Sequence, residues 1–445
     1  MLDRLEDLLR RARARGAVEA DAFMVEEEVQ TIQVRLGQVE SLKHAHENRC
    51  SLRIFTGTGS ASATSSDFSP EALGRLVDET VRLAQVACRD EHSGLPEPQA
   101  LAKDVPDLDL WDAEGHGLSV EERIERARRA EAAALAADAR VTNSEGAEFY
   151  DRQARVAYAS SGGFGGAFRV SAFALSVTPV AAADGRMERD YWYTSARKLA
   201  DLESPEQVGR EAARRATRRL GARKGSTTEV PVVFDPETAA SVVRALAVAA
   251  SGPSLYRGTS FLVGRRGTVL AAPSVTIVDD PLLRGGLGSR PFDGEGLPSR
   301  RTVLVDQGVL ASYLLDTYSA RKLGLEATGH AAREGGGGVT VGFTNLYLEP
   351  GPHPPDDIVR SVERGLYVTE LIGFGVNFVT GDYSRGAVGH WIEGGELAYP
   401  VEEITIAGNL GQMLRDIEMI GCDLQLRDQS AAPTLKIARM TVGGQ

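Results

Sequence analysis

Two histidines two positions apart, His44 and His46, with Glu47 beside them, are the residues whose types and spacing point most directly to metal chemistry. Alternate residues of a strand share a face, so the two imidazoles could converge on one divalent cation. No third donor is evident in the neighbouring sequence, and the expectation is a solvated strand edge with no metal. His92, His116 and His353 stand in loops beside glycine or proline and read as exposed. His330, which ends GLEATGH, is a better candidate for a cavity position than His390 in AVGHWIEGG.

A second polar cluster is Asn377, Thr380, Asp382, Ser384 and Arg385, more hydrogen-bonding groups than a simple turn requires. Asp382 and Ser384 can satisfy nearby backbone donors, and Arg385 offers a planar fork for a carboxylate. The string could line a chamber and grip a peptide, or it could be a buried turn that orders the domain. The sequence leaves both open. Tyr318, Ser319 and Arg321 in DTYSARKLG could face the same cavity, or cap and solvate a short helix.

Other arrangements carry less. Glu402 and Glu403 are adjacent on a strand and point to opposite faces, a poor acid/base couple. The run Gly335–Gly338 lacks the Lys-Ser/Thr of a phosphate loop and reads as a mobile flap. No Ser-His-Asp arrangement can be assigned.

The elements that must position these residues follow from pattern. An amphipathic helix at the N-terminus precedes strand-like alternation over 20–65, and Ser69-Pro70-Glu71 opens the next helix. Its apolar stripe is Leu73, Leu76, Val77, Val81, Leu83 and Ala84. A proline- and acid-rich stretch, 92–117, reads as a surface linker. Ser119 and Glu122 form a capping box for a helix over 120–138, strands are expected at 153–160 and 167–180, and Ser204-Pro205 starts another helix. Asp235-Pro236 opens a helix to about residue 250, and glycine-punctuated β runs fill the remainder. The fold class is α+β. An N-terminal region of antiparallel strands and helices in two units, 1–117 and 118–224, precedes a mostly β domain with inserted helices over 225–445.

With 445 residues, 42% hydrophobic and 25% charged, the chain has the composition of a soluble globular protein. No apolar run reaches the ~20 residues that cross a bilayer, and MLDRLEDLLRRARARG is no secretion signal. Three separated cysteines suit a reducing compartment, so a cytoplasmic location is expected. A net charge of −12 argues against direct nucleic-acid binding.

Long strings then narrow the reading. GVNFVTGDYSRGAVGHWIEGGELAYPVEEITIAGNL (375–410), YLLDTYSARKLGLEATGH (313–330), LYRGTSFL (255–262) and MERDYWYT (187–194) closely resemble the PmbA/TldE side of the TldD/PmbA metallopeptidase family. So does FDGEGLPSRRTVLVDQGVLASYLL at 292–315. The resemblance implies a heterodimeric zinc metalloprotease of small or unfolded peptides, in which a TldD-like sister carries an HExxxH helix and a C-terminal cysteine. Two histidines on one helical face hold the zinc and the glutamate activates its water. Here the corresponding helix reads SVVRALAVAAS (241–251) without histidine, glutamate or cysteine, and RDQSAAPTLKIARMTVGG contains no thiol.

The resemblance therefore implies a non-catalytic subunit that closes a substrate chamber, with zinc on the partner and none on this chain. The expected substrate contacts are Tyr318, Arg321, His330, Asn377, Thr380, Asp382, Ser384 and Arg385, and no catalytic residue is assigned. Two other readings are a homodimeric hydrolase using His44 and His46, and a regulator of DNA gyrase, the activity behind the family's older name.

Overall fold

A computed structural model describes residues 1–57, 59–333 and 337–444. The amphipathic N-terminus forms α1 (Leu2–Ala14), which buries Leu5, Leu8 and Ala12. A long hairpin follows, β1 (Glu19–Arg35) and β2 (Gln38–Phe55), then β3 (Ser60–Ser65). Helix α2 (Pro70–Val86) starts as its sequence dictates: the Ser69 side chain accepts from the Ala72 N–H and proline occupies the first turn. It buries the expected stripe except Leu83, which is exposed.

The next unit contributes α3 (Val120–Ala137), entered through the Ser119–Glu122 capping box, then β4 (Val141–Ser160) and β5 (Gly165–Ala183). Both strands outrun their expected spans. Bulges between Val141 and Ala147 carry Asn143, Ser144 and Gly146 into β4. Asp184 and Gly185, both at positive φ, turn the chain into β6 (Arg186–Arg189), followed by β7 (Trp192–Ala196) and α4 (Pro205–Arg218).

Strands from both units share one antiparallel sheet in the order β3-β2-β1-β4-β5-β6, with β7 also on β5. One face carries all four helices. At one end, α1 and α2 pack on Ala20, Ala22, Met24, Leu52 and Ile54. At the other, α3 and α4 pack on Ile32, Val34, Phe149, Phe173 and Leu175. Between these apolar ends the same face is polar, with Glu26, Glu28 and Gln30 on β1. The opposite face meets the C-terminal domain, where Tyr158 and Phe164 pack on Phe292. The 92–117 stretch is more than a surface linker, because Leu95, Leu101, Leu108 and Leu110 are buried along this junction.

In the C-terminal domain α5 (Pro236–Ala249), capped by Asp235, lies in the largest hydrophobic cluster. Strands Thr228–Phe234, Arg364–Ile372, Asp382–Glu393, Glu396–Asn409 and Leu435–Gly443 pair in a ring, so the sheet closes into a five-stranded barrel. The short α6 (Gly252–Tyr256) and α7 (Thr317–Leu323) sit beside it. Two hairpins turn at Gln307-Gly308 and Gly394-Gly395, all at positive φ. Among the described residues no helix is long and apolar enough to cross a membrane.

Candidate functional site

Tyr318 lines a cavity of about 500 Å³ at the junction of the N-terminal sheet and the C-terminal domain. Helix α7 places it there. Asp316 caps that helix by accepting from the Ser319 N–H at 2.8 Å, and Glu295 Oε2 accepts the Thr317 N–H at 2.9 Å. Tyr318 Oη donates to Asp90 Oδ2 at 2.7 Å, and its ring meets Tyr256 edge-on at 5.7 Å. Arg53, Glu295, Asp316 and Arg257 supply charge of both signs to the walls. Burial raises the Asp316 carboxyl above its ordinary range, and Glu295 adds to the effect. The cavity is thus suited to a polar ligand. Of the glycine run, Gly338 lines it, while Gly335 and Gly336 lie outside the described residues.

The remaining expected contacts do not join Tyr318 in this cavity. Arg321 turns to the other side of α7, where its guanidinium donates to the carbonyls of His92 (3.3 Å) and Leu95 (2.6 Å). Ser319 is a capping residue. His330 is 1% exposed, hydrogen-bonded through Nε2 to Asp279 Oδ2 at 3.1 Å and through Nδ1 to Thr328 Oγ1 at 2.8 Å. Asp279 also accepts both donors of Thr344, so this is a closed structural network.

Asn377, Thr380, Asp382 and Ser384 are exposed and largely satisfy one another. Thr380 Oγ1 donates to Asp382 Oδ2 at 2.7 Å, Asn377 Oδ1 accepts from the Val379 N–H, and Asn409 Nδ2 donates to the Thr380 carbonyl. Arg385 Nη2 donates to the Leu371 carbonyl at 3.3 Å. The turn is ordered by its own side chains yet lies on the surface, beside the exposed apolar residues Ile372, Phe374 and Val379. His390 is buried against the Arg218 carbonyl, 3.0 Å away, and burial together with the Arg218 charge pushes its imidazole down to about 4.

Helix α5 tests whether this chain can hold the zinc that the resemblance implies for the sister. Its inner face is Ala239, Val242, Val243, Leu246 and Ala249, all buried. On the outer side Arg244 Nη1 donates to Ser430 Oγ at 3.0 Å and lies 3.7 Å from Asp428. A guanidinium, hydroxyls and aliphatic chains offer neither imidazole nor thiolate, so zinc does not fit. Cys422 precedes this tail and is exposed beside His353, whose carbonyl accepts its N–H.

The histidine pair of β2 gains a neighbour that sequence reasoning missed. Glu28 of β1 stands directly across from His46, and its Oε1 is 2.7 Å from His44 Nε2. The turn at Leu36-Gly37 does not signal it, because a bulge at Glu40 shifts the register by one residue before Glu28 meets His46.

The molecule is α+β, a helix-backed antiparallel sheet docked on a domain that contains a small barrel. Family models described as PmbA/TldA metallopeptidase match residues 20–84 (domain 1), 114–220 (central domain) and 227–444 (C-terminal domain). The chain is 38% identical to Metalloprotease PmbA of Escherichia coli O157:H7 across 93% of its length and 90% of that protein's. Its fold superposes with a TM-score of 0.92 on a crystal structure from Bacteroides thetaiotaomicron described as a candidate modulator of DNA gyrase. That likeness is at 27% identity and covers 100% of this chain and 98% of the other. TldE from Thermococcus kodakarensis shares the fold, with a TM-score of 0.89 at 22% identity over 99% and 100% of the two chains. The chain belongs to the PmbA/TldD metallopeptidase family.

Proposed function

We propose that this chain is the non-catalytic, TldE-like subunit of a heterodimeric zinc metallopeptidase that degrades or processes small, unfolded peptides in the cytoplasm. The observation that carries the reading is the composition of residues 241–251, where aliphatic residues and Arg244 stand without histidine, glutamate or cysteine. A TldD-like, HExxxH-bearing partner holds the zinc and activates water. This chain closes the chamber and admits only extended peptide. The cavity at Tyr318 and the polar surface turn 377–385 supply candidate substrate contacts. Strand addition is the favoured binding mode; β3 pairs only with Cys50–Phe55 of β2, leaving the outer half of that strand as an edge. Direct DNA binding has no part in the reading, given the net charge of −12.

The experiment uses the purified chain alone, a TldD-like partner alone and the two together, with an unfolded peptide as substrate. Hydrolysis is expected only from the pair, and a chelator abolishes it. Chelator-sensitive hydrolysis by this chain alone refutes the assignment.

A further inference from the structure

On the helix-bearing face of the N-terminal sheet, between the α1/α2 pair and the α3/α4 pair, three potential metal donors converge. Glu28 faces His46 across β1 and β2, and His44 is two residues along the same strand, so all three side chains leave the sheet on one side. One donor atom from each lies within 4.8 Å of the others. The two imidazole rings are 4.6 Å apart, centroid to centroid. Glu28 and His46 line a cavity of about 310 Å³, and His116 and Asn48 also border it. This polar gap interrupts a face that is otherwise covered by helices.

We propose that Glu28, His44 and His46 bind a divalent transition metal of the zinc class, at a site separate from the peptidase centre. Two neutral imidazoles and one carboxylate are the donor set that borderline cations such as zinc prefer over magnesium or calcium. Metal–ligand bonds of about 2.1 Å put tetrahedral donors ~3.4 Å apart. His44 and His46 are exposed and Glu28 is half-buried, so side-chain rotation can close the remaining distance. The cation replaces the direct His44–Glu28 hydrogen bond and joins β1 to the outer half of β2. Water or a ligand carboxylate from the cavity completes the shell. The assignment does not rest on the proposed function, since it requires neither a partner nor hydrolysis.

The test is a calorimetric titration of the tag-free, chelator-stripped full chain with zinc chloride, repeated with cobalt(II) and read by visible absorption. One saturable equivalent is expected, with a tetrahedral cobalt spectrum and a rise in melting temperature. Glu28→Gln and the double variant His44→Ala/His46→Ala should each weaken binding by at least ~10-fold, while His353→Ala, in a loop elsewhere, leaves it unchanged. Circular dichroism confirms that the variants fold. Absence of saturable binding, or equal binding by the double variant, overturns the site. Peptide hydrolysis by the zinc-loaded chain alone would count against the non-catalytic reading and leave the site intact.

Discussion

Arg333 donates through Nη2 to Oδ2 of Asp21 at 2.7 Å, joining residues 312 positions apart in the chain. Arg53 reaches the same carboxylate through Nε at 3.0 Å and pairs with Glu295 at 3.0 Å, while Tyr158 Oη donates to Asp21 Oδ2 at 3.2 Å. Asp21 is fully buried. Burial alone would raise its carboxyl, but the two guanidiniums outweigh that and hold it below the usual range. The network ties the N-terminal sheet to the C-terminal domain.

Replacing Asp21 by Asn should therefore leave two buried guanidiniums with a single carboxylate. The expected loss is about 3–5 kcal/mol. Tyr158→Phe removes a hydroxyl shared between Asp21 Oδ2 (3.2 Å) and the Glu295 carbonyl (2.7 Å) and should cost about 1 kcal/mol. Urea unfolding of the three proteins measures both. Equal midpoints for wild type and Asp21→Asn would show that the network does not brace the domain junction.

His390 gives a pH dependence with a definite sign. Its folded pKa of about 4 lies below its ordinary value of 6.5, so between these values the unfolded chain binds the extra proton. Stability must then fall as pH drops from about 6.5 to about 4, by roughly 2–3 kcal/mol for this group. His390→Gln removes that contribution. Compared at pH 7 and pH 4.5, the variant should gain on the wild type by about that amount; a constant difference contradicts the buried neutral imidazole.

Arg321→Ala should free the carbonyls of His92 and Leu95 and loosen the start of the long connection. Arg89 is exposed just upstream. Limited trypsin digestion is expected to cut the variant there several-fold faster than the wild type, consistent with the about 1–3 kcal/mol that a charged hydrogen-bond donor contributes. Unchanged digestion would mean that the segment is held by Leu95 and Leu101 alone.

The three thiols should differ in reactivity. Cys50 is buried, which pushes its thiol up to about 12, whereas Cys88 and Cys422 are exposed. A maleimide should modify two thiols promptly in the folded protein and the third only in denaturant. Prompt loss of all three would indicate that the β1–β2 sheet opens readily.

Local chemistry was legible where one short segment decides the outcome. Ser69, Ser119, Ser204 and Asp235 cap helices as read, because each side chain finds its N–H within three residues. The extent of β4 was not legible, since its bulged start resembles a loop until β5 pairs with it. Arg321 and His330 are polar residues in a family-like string, yet their partners, at His92, Leu95 and Asp279, lie far away in sequence.

By itself the sequence determined that segment 241–251 has no histidine, glutamate or cysteine, and a helix cannot coordinate with side chains it does not possess. Whether His44 and His46 have a third donor was decided only by the tertiary structure. The tight turn pairs Arg35 with Gln38 and Val34 with Val39, a register that carried onward would set Glu28 against Ala45. Glu40 is inserted as a bulge, Gln33 pairs with Ser41, and Glu28 meets His46. A shift of one residue turns every side chain to the other face, and the packing of β1 against β4 and the helices selects which face that is.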